Sequence, residues 1–377
     1  MRIAFGDLSG WDYNVLSVGT IPLGGSQSAA CYLAHALAAK HEVFFLTHTT
    51  APGRYGNVTC LSWRETPAAS LKPMQWDVFV CLPGAGNGPQ LRKALGPETR
   101  LVLWTQHRID QSAVQSLAEP AESDCYDGFA FVSEWQREEF RLGFGLPPAR
   151  MQVLGNAVAP AFADLFQEGQ PILPSKAAPP LLAYTSTPFR GLNILVDAFP
   201  AIRAQIPEAR LRVFSSMAVY QETLADDQAR YGALYERCRQ TPGIEYVGSV
   251  PQPALAREMR AVSVLAYPNT FPETFCIAAL EAMASGCRVI TSAQGALPET
   301  TAGFAELIPL GRDRSPDIGA FVQRTVNALR AMQSGDPAVE ESLQRQMRSV
   351  RENATWAVRA GQWEDWLSRL CAGVAVS

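Results

Sequence analysis

The sequence contains none of the short motifs that hold a catalytic metal or a structural zinc ion, since DxD, HExxH, HxxEH and CxxC are all absent. Most of its eight cysteines lie inside apolar segments, which is typical of a reducing compartment and not of a disulfide framework. No apolar run approaches the roughly 20 residues that cross a bilayer, and no signal peptide precedes the first strand-like run. We therefore expect a cytoplasmic protein that requires no metal ion and whose membrane contact, if any, is peripheral.

An excess of charge of one sign is also missing. The 32 lysines and arginines nearly balance the 36 aspartates and glutamates, which argues against a general nucleic-acid binder. The GxGxxG fingerprint, the P-loop lysine and the GxSxG elbow are absent too. The sequence therefore indicates no Rossmann dinucleotide site of the usual pattern, no P-loop and no α/β-hydrolase elbow.

Apolar residues make up 47% of the chain and charged residues 18%, which favours a folded protein with a large core over a disordered one. Short β-rich runs alternate with helical patterns, and near-continuous apolar strands between helices are typical of parallel sheets covered on both faces. The predicted fold class is therefore α/β. Strands are expected near residues 3–5, 43–47, 59–63, 78–82, 101–105, 128–132, 152–154, 181–185, 210–214, 245–247, 262–266 and 288–291.

A chain of 377 residues exceeds what one hydrophobic core usually serves, so two domains are expected. The segment 166–180 contains four prolines, which favour an extended connection over a helix. We therefore predict an N-terminal domain over 1–168 and a C-terminal domain over 178–350. The remainder, 351–377, is predicted as a final helical segment.

The strongest local pattern is a pair of glutamates that follows a proline-containing turn. Glu273 and Glu281 are eight residues apart, and a helix is predicted over 274–285. Along a helix this spacing corresponds to roughly 12 Å and a rotation of about 80°. Two carboxylates in that arrangement do not act on one atom, but they suit the two ends of an elongated ligand.

The predicted helix start adds hydrogen-bond donors between these two acceptors. The free N–H groups of Thr274, Phe275 and Cys276 would offer an anion site. A nucleotide sugar has hydroxyl groups on its hexose and on its ribose, with a diphosphate between them. A hydrogen-bond acceptor at each end and a cluster of donors in the middle would match that order. The alternative is an amphipathic helix with a solvated Glu273 that caps it.

Three further positions fit a phosphate-bearing ligand. Gly24 and Gly25 precede a helix predicted over 26–39, where small residues allow close backbone approach. Arg190 opens a helix, where the macrodipole favours anions, so a bound anion would explain the cation. His107 follows a strand at the edge where open α/β sheets bind ligands. The alternatives are a capped glycine turn, an exposed arginine and a structural histidine.

Taken in order, these segments resemble the GT-B glycosyltransferases, specifically the retaining family 4, or glycosyltransferase group 1. In that family two Rossmann-like domains face each other across a cleft. The C-terminal domain holds a nucleotide sugar, the N-terminal domain presents the acceptor, and the final helix crosses back to the first domain. The resemblance runs along nearly the whole chain and is carried by the glycine pair 24–25, His107, the segment FVSEWQREEF (131–140), Arg190–Gly191, and E-x7-E followed by GALPET (295–300).

The resemblance implies the role of each candidate residue. Glu281 would bind the ribose hydroxyls, Glu273 the transferred sugar, and Arg190 with the Gly25 amide the diphosphate. His107, Glu273 and Arg190 are the implied catalytic residues, with His107 beside the anomeric carbon. The full set implied to contact the donor is Gly24, Gly25, Ser186, Thr187, Arg190, Gly248, Val250, Glu273, Thr274, Phe275, Cys276 and Glu281.

The donor would be a UDP- or GDP-sugar, used as substrate without a required cofactor or metal. The acceptor would be a saccharide, a lipid-linked molecule or a small molecule, and its expected contacts include Trp11, Asp12 and Tyr13 in a first-domain loop. Where the family usually has a second phosphate-binding arginine, this chain has Ser186 and Thr187, which we expect to supply hydrogen bonds instead. Two alternatives remain open: a GT-B epimerase or nucleotide-sugar hydrolase, and a degenerate paralogue that binds a nucleotide sugar without turnover.

Overall fold

The computed structural model describes residues 1–313 and 315–373, so residues 374–377 of the predicted final segment lie outside the described part. These residues form two β-sheets of eight and six strands. The strands of the first sheet are β1 (Arg2–Asp7), β2 (Glu42–Thr47), β3 (Gly53–Tyr55), β4 (Val58–Ser62), β5 (Val78–Leu82), β6 (Arg100–Trp104), β7 (Gly128–Phe131) and β8 (Met151–Val153). Those of the second are β9 (Leu181–Tyr184), β10 (Arg210–Val213), β11 (Ile244–Tyr246), β12 (Val264–Tyr267), β13 (Arg288–Ser292) and β14 (Glu306–Ile308).

Helices separate most of the strands, as the alternating sequence pattern predicts. They are α1 (Gly25–Leu37), α2 (Gly88–Leu95), α3 (Pro120–Ser123), α4 (Glu134–Phe144), α5 (Pro160–Ala163), α6 (Leu192–Gln205), α7 (Leu224–Gln240), α8 (Gln252–Met259), α9 (Ile277–Ala284), α10 (Leu297–Thr301), α11 (Ile318–Gln333), α12 (Pro337–Asn353) and α13 (Trp356–Cys371). Several begin at a side chain that accepts a backbone N–H, such as Ser133 before α4 and Asp317 before α11. None of the helices in the described ranges is long and apolar enough to span a membrane.

The chain divides into two compact units, each with its own sheet. The first contains Met1–Thr20, Gly25–Asn156 and the chain from Trp356 onward, and the second contains Ile21–Gly24 and Ala157–Thr355. The first sheet has the order β3-β4-β2-β1-β5-β6-β7-β8 and is parallel except for β3, which pairs with β4 antiparallel. The second has the order β11-β10-β9-β12-β13-β14 and is parallel throughout. The predicted α/β class is confirmed.

The final helix belongs to the first unit. In α13 the indole of Trp363 lies 4.9 Å from that of Trp104 and 5.6 Å from that of Trp366, measured between ring centroids. All three tryptophans are almost fully buried. Burial of three large aromatic side chains contributes several kcal/mol, so α13 is anchored firmly to the strand β6 side of this sheet.

The boundary between the units differs from the predicted one at 166–180. The structure assigns the chain from Ala157 onward to the second unit. Phe166 and Ile172 are buried in a cluster with side chains of α11 and α12, and Glu340 of α12 accepts the backbone N–H of Ile172 at 2.8 Å. The prolines do keep this segment free of α-helix, but its apolar side chains pack against the second unit, so it is not a free connection.

Candidate functional site

Most predicted donor-contacting residues of the second unit lie in loops after β9, β11 and β12, and Glu281 lies on α9, the helix after β12. These strands lie side by side with β10 in the sheet order. Parallel strands bring their carboxyl ends to the same edge, and open α/β sheets bind ligands there. The fold therefore gathers residues that are up to 95 positions apart, from Ser186 to Glu281, along one edge.

The centre of this edge is an ion pair between Arg190 and Glu273. One terminal nitrogen of Arg190, Nη1, lies 2.7 Å from each carboxylate oxygen of Glu273, and the two side chains are 21% and 5% exposed. Burial lowers the pKa of Arg190, but Glu273 together with the Tyr220, Tyr267 and Cys276 side chains raises it by more, so that pKa stays well above its ordinary value. Arg190, predicted to hold a diphosphate, is thus neutralised by Glu273, predicted to hold the sugar.

Neutral groups complete the surroundings of this pair. Tyr267, the last residue of β12, donates its hydroxyl to Glu273 Oε1 at 2.5 Å, and Arg190 Nη2 lies 3.4 Å from the hydroxyl of Tyr220. The guanidinium carbon of Arg190 lies 4.6 Å from the ring centroid of Phe271 and 5.5 Å from that of Phe189. Cation–π contact on both rings restricts the guanidinium to this position. Sequence reasoning missed Tyr267, although it is the strand-end residue next to the E-x7-E segment.

Gly191 explains why Arg190 stands where it does. Its φ of 111° is in the left-handed region, and a Cβ at this position would lie 2.2 Å from the carbonyl oxygen of Pro268. Only glycine permits both the conformation and the close approach of the loop after β9 to the loop after β12. Gly191 is therefore needed directly after Arg190 to place the arginine in this ion pair.

The structure corrects the predicted helix start. Helix α9 begins at Ile277, and the residue before it, Cys276, has a left-handed φ of 83°. Glu273 lies outside the helix and forms a β-bridge with Gly295, whose neighbour Ala296 donates its N–H to the Glu273 carbonyl at 2.7 Å. This pairing competes successfully with helix formation over 273–276.

The later start of α9 changes two of the predictions made from the sequence. The first amides of α9 belong to residues 277–279, so Thr274, Phe275 and Cys276 are not helix-start donors, although all three are buried at this edge. The helical distance and rotation calculated between the two glutamates also do not apply. The amphipathic alternative with a solvated Glu273 is wrong, because the residue is only 3% exposed.

Glu281 has a different environment on α9. Its residue is 6% exposed, and its Oε1 accepts a hydrogen bond of 2.8 Å from Nε2 of Gln252 in α8. Burial raises the pKa of Glu281 to about 8, and the hydrogen bond from Gln252 opposes this only in part. No cation is among the causes of this shift, which separates Glu281 from the paired Glu273.

The remaining donor residues of this unit lie at the same edge. Ser186 Oγ is 3.4 Å from the Tyr267 hydroxyl, and the buried Thr187 accepts the Tyr184 hydroxyl on its carbonyl at 2.7 Å. Gly248, with φ of 83°, follows β11 and donates its N–H to the carbonyl of Val213 at 3.3 Å. Val250, two residues on, is partly exposed.

Several polar atoms along this edge are buried without a hydrogen-bond partner in the described ranges. They are Thr187 Oγ1, Arg190 Nε, Ser215 Oγ and Gln252 Oε1. A buried polar group left unpaired costs about 1–3 kcal/mol, and most such groups in folded proteins are paired. Their grouping at a ligand-binding edge is therefore typical of a site that a polar ligand completes.

The candidate residues of the first unit are distributed differently. His107 follows β6, its Nδ1 lies 3.3 Å from Gln111 Oε1, and its carbonyl accepts Nε2 of Gln136 at 2.8 Å. Burial lowers the pKa of His107, so its imidazole is neutral at pH 7. Helix α1 begins at Gly25, one residue earlier than predicted, with Gly24 buried before it.

The predicted acceptor loop contains one buried residue and two accessible ones. Tyr13 is 2% exposed and donates its hydroxyl to Asp7 Oδ2 at 2.5 Å, so its polar atom is turned into the unit. Asp12 is exposed and accepts both the N–H and the hydroxyl of Thr50, and Trp11 is partly exposed. Asp7 ends β1 and was missed, although the strand-end rule that selected His107 applies to it equally. In the described ranges, no group of three or more His, Cys, Asp or Glu side chains could hold a metal ion.

Comparison with known proteins finds a family model that matches the part of the chain containing this site. Residues 180–331 match the model of the family described as Glycosyl transferases group 1. D-inositol 3-phosphate glycosyltransferase of Jonesia denitrificans is 29% identical over 174 residues, which are 45% of this chain and 38% of the relative. Phosphatidyl-myo-inositol mannosyltransferase of Mycobacterium tuberculosis is 30% identical over 105 residues, or 28% of this chain and 25% of the relative. The chain thus spans well under half the length of these relatives.

Solved structures match the chain over nearly its whole length. Sucrose-phosphate synthase from Thermosynechococcus elongatus superposes with a TM-score of 0.70 at 19% identity, over 99% of this chain and 100% of that one. Anabaena Alr3699/HepE, solved in complex with UDP and glucose, gives a TM-score of 0.62 at 14% identity, over 98% and 99%. The fold is therefore the GT-B fold of glycosyltransferases. Residues 180–331, which match the group 1 model, lie within this fold, and the match agrees with the resemblance found in the sequence.

Proposed function

We propose that the protein transfers a hexose from a UDP- or GDP-sugar to an acceptor hydroxyl, with retention of the anomeric configuration. The observation that carries this proposal is the cluster of Arg190, Glu273 and Tyr267 beside Glu281 at one sheet edge of a group 1 domain. The cluster combines one cation, two carboxylates and unpaired polar atoms, which is the set of groups that a nucleotide sugar requires. Retention of configuration is implied by the resemblance to the family.

Arg190 is proposed to bind the diphosphate in place of its present partner, the Glu273 carboxylate. In the structure its charge is compensated by Glu273. A diphosphate at the starts of α6 and α9 would compete for the guanidinium and leave the carboxylate to accept sugar hydroxyls. During transfer the bond from the anomeric carbon to the diphosphate oxygen breaks, and its electron pair leaves with the diphosphate. The acceptor oxygen forms the new bond and passes its proton to the departing group.

Neutral donors are proposed to replace the second cation of the family. Thr187 Oγ1 is buried and unpartnered in the described ranges, and Ser186 Oγ is close to Tyr267. A charge-assisted hydrogen bond is worth roughly 1.5–3 kcal/mol and a neutral one about 1 kcal/mol, while each helix start adds about 0.3–1 kcal/mol. Arg190, two hydroxyls and two helix starts would therefore stabilise the leaving group by several kcal/mol without a metal.

The first unit is proposed to bind the acceptor. The neutral imidazole of His107 is suited to hydrogen-bonding a sugar hydroxyl, and Trp11 and Asp12 have accessible side chains. The acceptor remains a saccharide, a lipid-linked molecule or a small molecule, and the names of both curated relatives contain inositol. A cytoplasmic location with peripheral membrane contact also remains a proposal.

A two-stage assay tests this function. The melting temperature is measured with UDP, GDP and ADP, and the stabilising nucleotide then defines which sugars are offered with an acceptor panel. We expect one base to raise the melting temperature and its sugar to be transferred. Glu281→Ala and Arg190→Ala should each lower turnover at least 100-fold at a temperature where circular dichroism shows them folded. Arg141→Ala, which breaks an exposed ion pair with Glu138, should retain full activity.

The same assay separates the alternatives. Epimerised sugar or rapid nucleotide release from the donor alone would indicate an epimerase or a hydrolase. Tight donor binding without turnover on the whole panel would indicate a non-catalytic binding protein. Wild-type rates in both site variants would contradict the proposed site.

A further inference from the structure

Gln252 is one of the residues of this edge whose hydrogen bonding is incomplete. It is the first residue of α8, directly after the loop that follows β11. Its Nε2 donates to Glu281 Oε1 at 2.8 Å. Its other amide atom, Oε1, is buried and has no hydrogen-bond partner among residues 1–313 and 315–373. The side chain therefore presents a desolvated acceptor next to a carboxylate.

The orientation of this amide is set by its neighbour. Because Nε2 of Gln252 donates to Glu281 Oε1, the amide oxygen Oε1 of Gln252 points away from that carboxyl oxygen. An exposed glutamine–glutamate pair in the same unit makes the same kind of hydrogen bond without a proposed role in ligand binding. Gln240 Nε2 donates to Glu236 Oε1 at 2.9 Å, and both residues are exposed, so water satisfies the remaining amide oxygen. In the Gln252–Glu281 pair, by contrast, the remaining amide oxygen is itself buried.

We infer that Gln252 and Glu281 together form a receptor for a vicinal diol, in which one hydroxyl donates to the other carboxyl oxygen of Glu281 and the second hydroxyl donates to Gln252 Oε1. This inference rests on the proposed function, because it assigns the diol to the ribose of the nucleotide. Two adjacent acceptors joined by a hydrogen bond match two adjacent hydroxyl donors. Gln252 is therefore a specificity-determining residue for ribonucleotides, in addition to Glu281.

The pair predicts discrimination against deoxyribonucleotides. A site that accepts hydrogen bonds from both hydroxyls loses one contact with each deoxy analogue, and a buried acceptor is then left unpaired. Gln252→Met keeps the length and volume of the side chain and removes both amide atoms. The deoxy analogue that lacks the hydroxyl facing residue 252 should then bind this variant as tightly as the ribonucleotide does. The substitution has already removed the hydrogen bond that this analogue cannot make.

The experiment measures dissociation constants by calorimetry for the full chain. The probes are UDP, 2′-deoxy-UDP and 3′-deoxy-UDP, or the GDP series if GDP stabilises the protein. The wild type should bind each deoxy analogue about tenfold more weakly than the parent. Gln252→Met should weaken the parent about tenfold and abolish discrimination against one analogue. Gln240→Met, the matched exposed substitution, should leave all three constants unchanged.

A second variant covers the case in which Gln252→Met does not fold. Gln252→Glu keeps an acceptor at this position, and two carboxyl groups that share one proton should preserve discrimination against both analogues below pH 7. Unchanged discrimination in Gln252→Met, or lost discrimination in Gln252→Glu, would overturn the inference. A wild type that binds the nucleotide without distinguishing the analogues would also overturn it. A wild type that binds no nucleoside diphosphate would instead contradict the proposed function itself.

Discussion

The two glutamates of the E-x7-E segment are both buried, but their electrostatic environments are opposite. Glu273 is held by the guanidinium of Arg190 and by the Tyr267 hydroxyl. Glu281 has an amide donor from Gln252, and burial raises its pKa to about 8. The same residue type, eight positions apart, is thus paired with a cation at one position and buried beside a neutral amide at the other.

This difference has a consequence for how each glutamate meets a ligand. Glu273 must give up part of its pairing with Arg190 before both groups can contact a donor, so ligand binding there is an exchange of partners. Glu281 lacks strong donors, so hydroxyl groups would add hydrogen bonds to a carboxylate that is short of them. A ligand therefore has to displace Arg190 at Glu273, whereas at Glu281 it only adds hydrogen bonds.

The largest expected effect comes from breaking the pair at Glu273. Arg190→Met should lower the free energy of unfolding by about 3 kcal/mol, because it leaves a buried carboxylate without its cation. Adding Glu273→Gln should recover most of this loss, since the uncompensated charge is then gone. Urea unfolding of the two single variants and the double variant measures the coupling.

An exposed pair supplies the control for this cycle. Arg141 binds both carboxylate oxygens of Glu138 through two nitrogens on the surface of α4. Arg141→Met should leave the free energy of unfolding nearly unchanged, because exposed ion pairs are screened by water. Equal losses at Arg190 and Arg141 would show that burial does not strengthen the pair at Glu273, and the comparison between the two glutamates would fail.

The second prediction concerns the pH dependence that Glu281 imposes. The pKa of this carboxyl is about 8 in the folded protein and lies near its ordinary, lower value when unfolded. The folded state therefore binds the proton more tightly, so this contribution to stability is complete at low pH and is lost as pH rises toward 8 and beyond. Between pH 6 and pH 8 the loss amounts to about 2 kcal/mol.

Glu281→Gln isolates this contribution. The variant keeps the shape of the side chain but does not titrate, so its unfolding free energy should lack that fall with pH. The quantity to measure is the difference between wild type and variant at pH 6 and at pH 8. A difference that stays constant over this range would show that the Glu281 carboxyl titrates outside it.

The sequence predicts much of the fold because its strands are short and almost wholly apolar. All twelve predicted strands are present within about two residues, and β5, for example, is buried at every position. The strands that were missed, β3 and β14, have three residues each and include exposed or partly exposed positions, so they have little apolar character to detect. Strand ends also locate the ligand-binding edge, since the topology of a parallel sheet determines it.

The pairing of side chains at the site was not predictable in the same way. Arg190 and Glu273 are 83 positions apart, and nothing local indicates that one neutralises the other. The start of α9 was predicted too early because the bridge to Gly295 is a long-range contact. Likewise, the hydroxyl of Tyr13 is directed inward by the buried Asp7, and Ile172 in the proline-containing segment packs on α12. Each of these features depends on tertiary contacts that local residue patterns do not encode.

The smallest expected effect comes from the neutral donor to Glu273. Tyr267→Phe removes a hydrogen bond of 2.5 Å to a carboxylate and should cost about 1.5 kcal/mol of stability. The matched control is Tyr126→Phe in the first unit, where the hydroxyl donates to Glu122 Oε1 at 2.7 Å and both residues are buried. Both variants should lose similar stability, but only Tyr267→Phe should lower turnover, about tenfold, because only it releases a carboxylate proposed to hold the sugar. Equal turnover in the two variants would show that Tyr267 supports the fold alone, and that the position of Glu273 depends on Arg190.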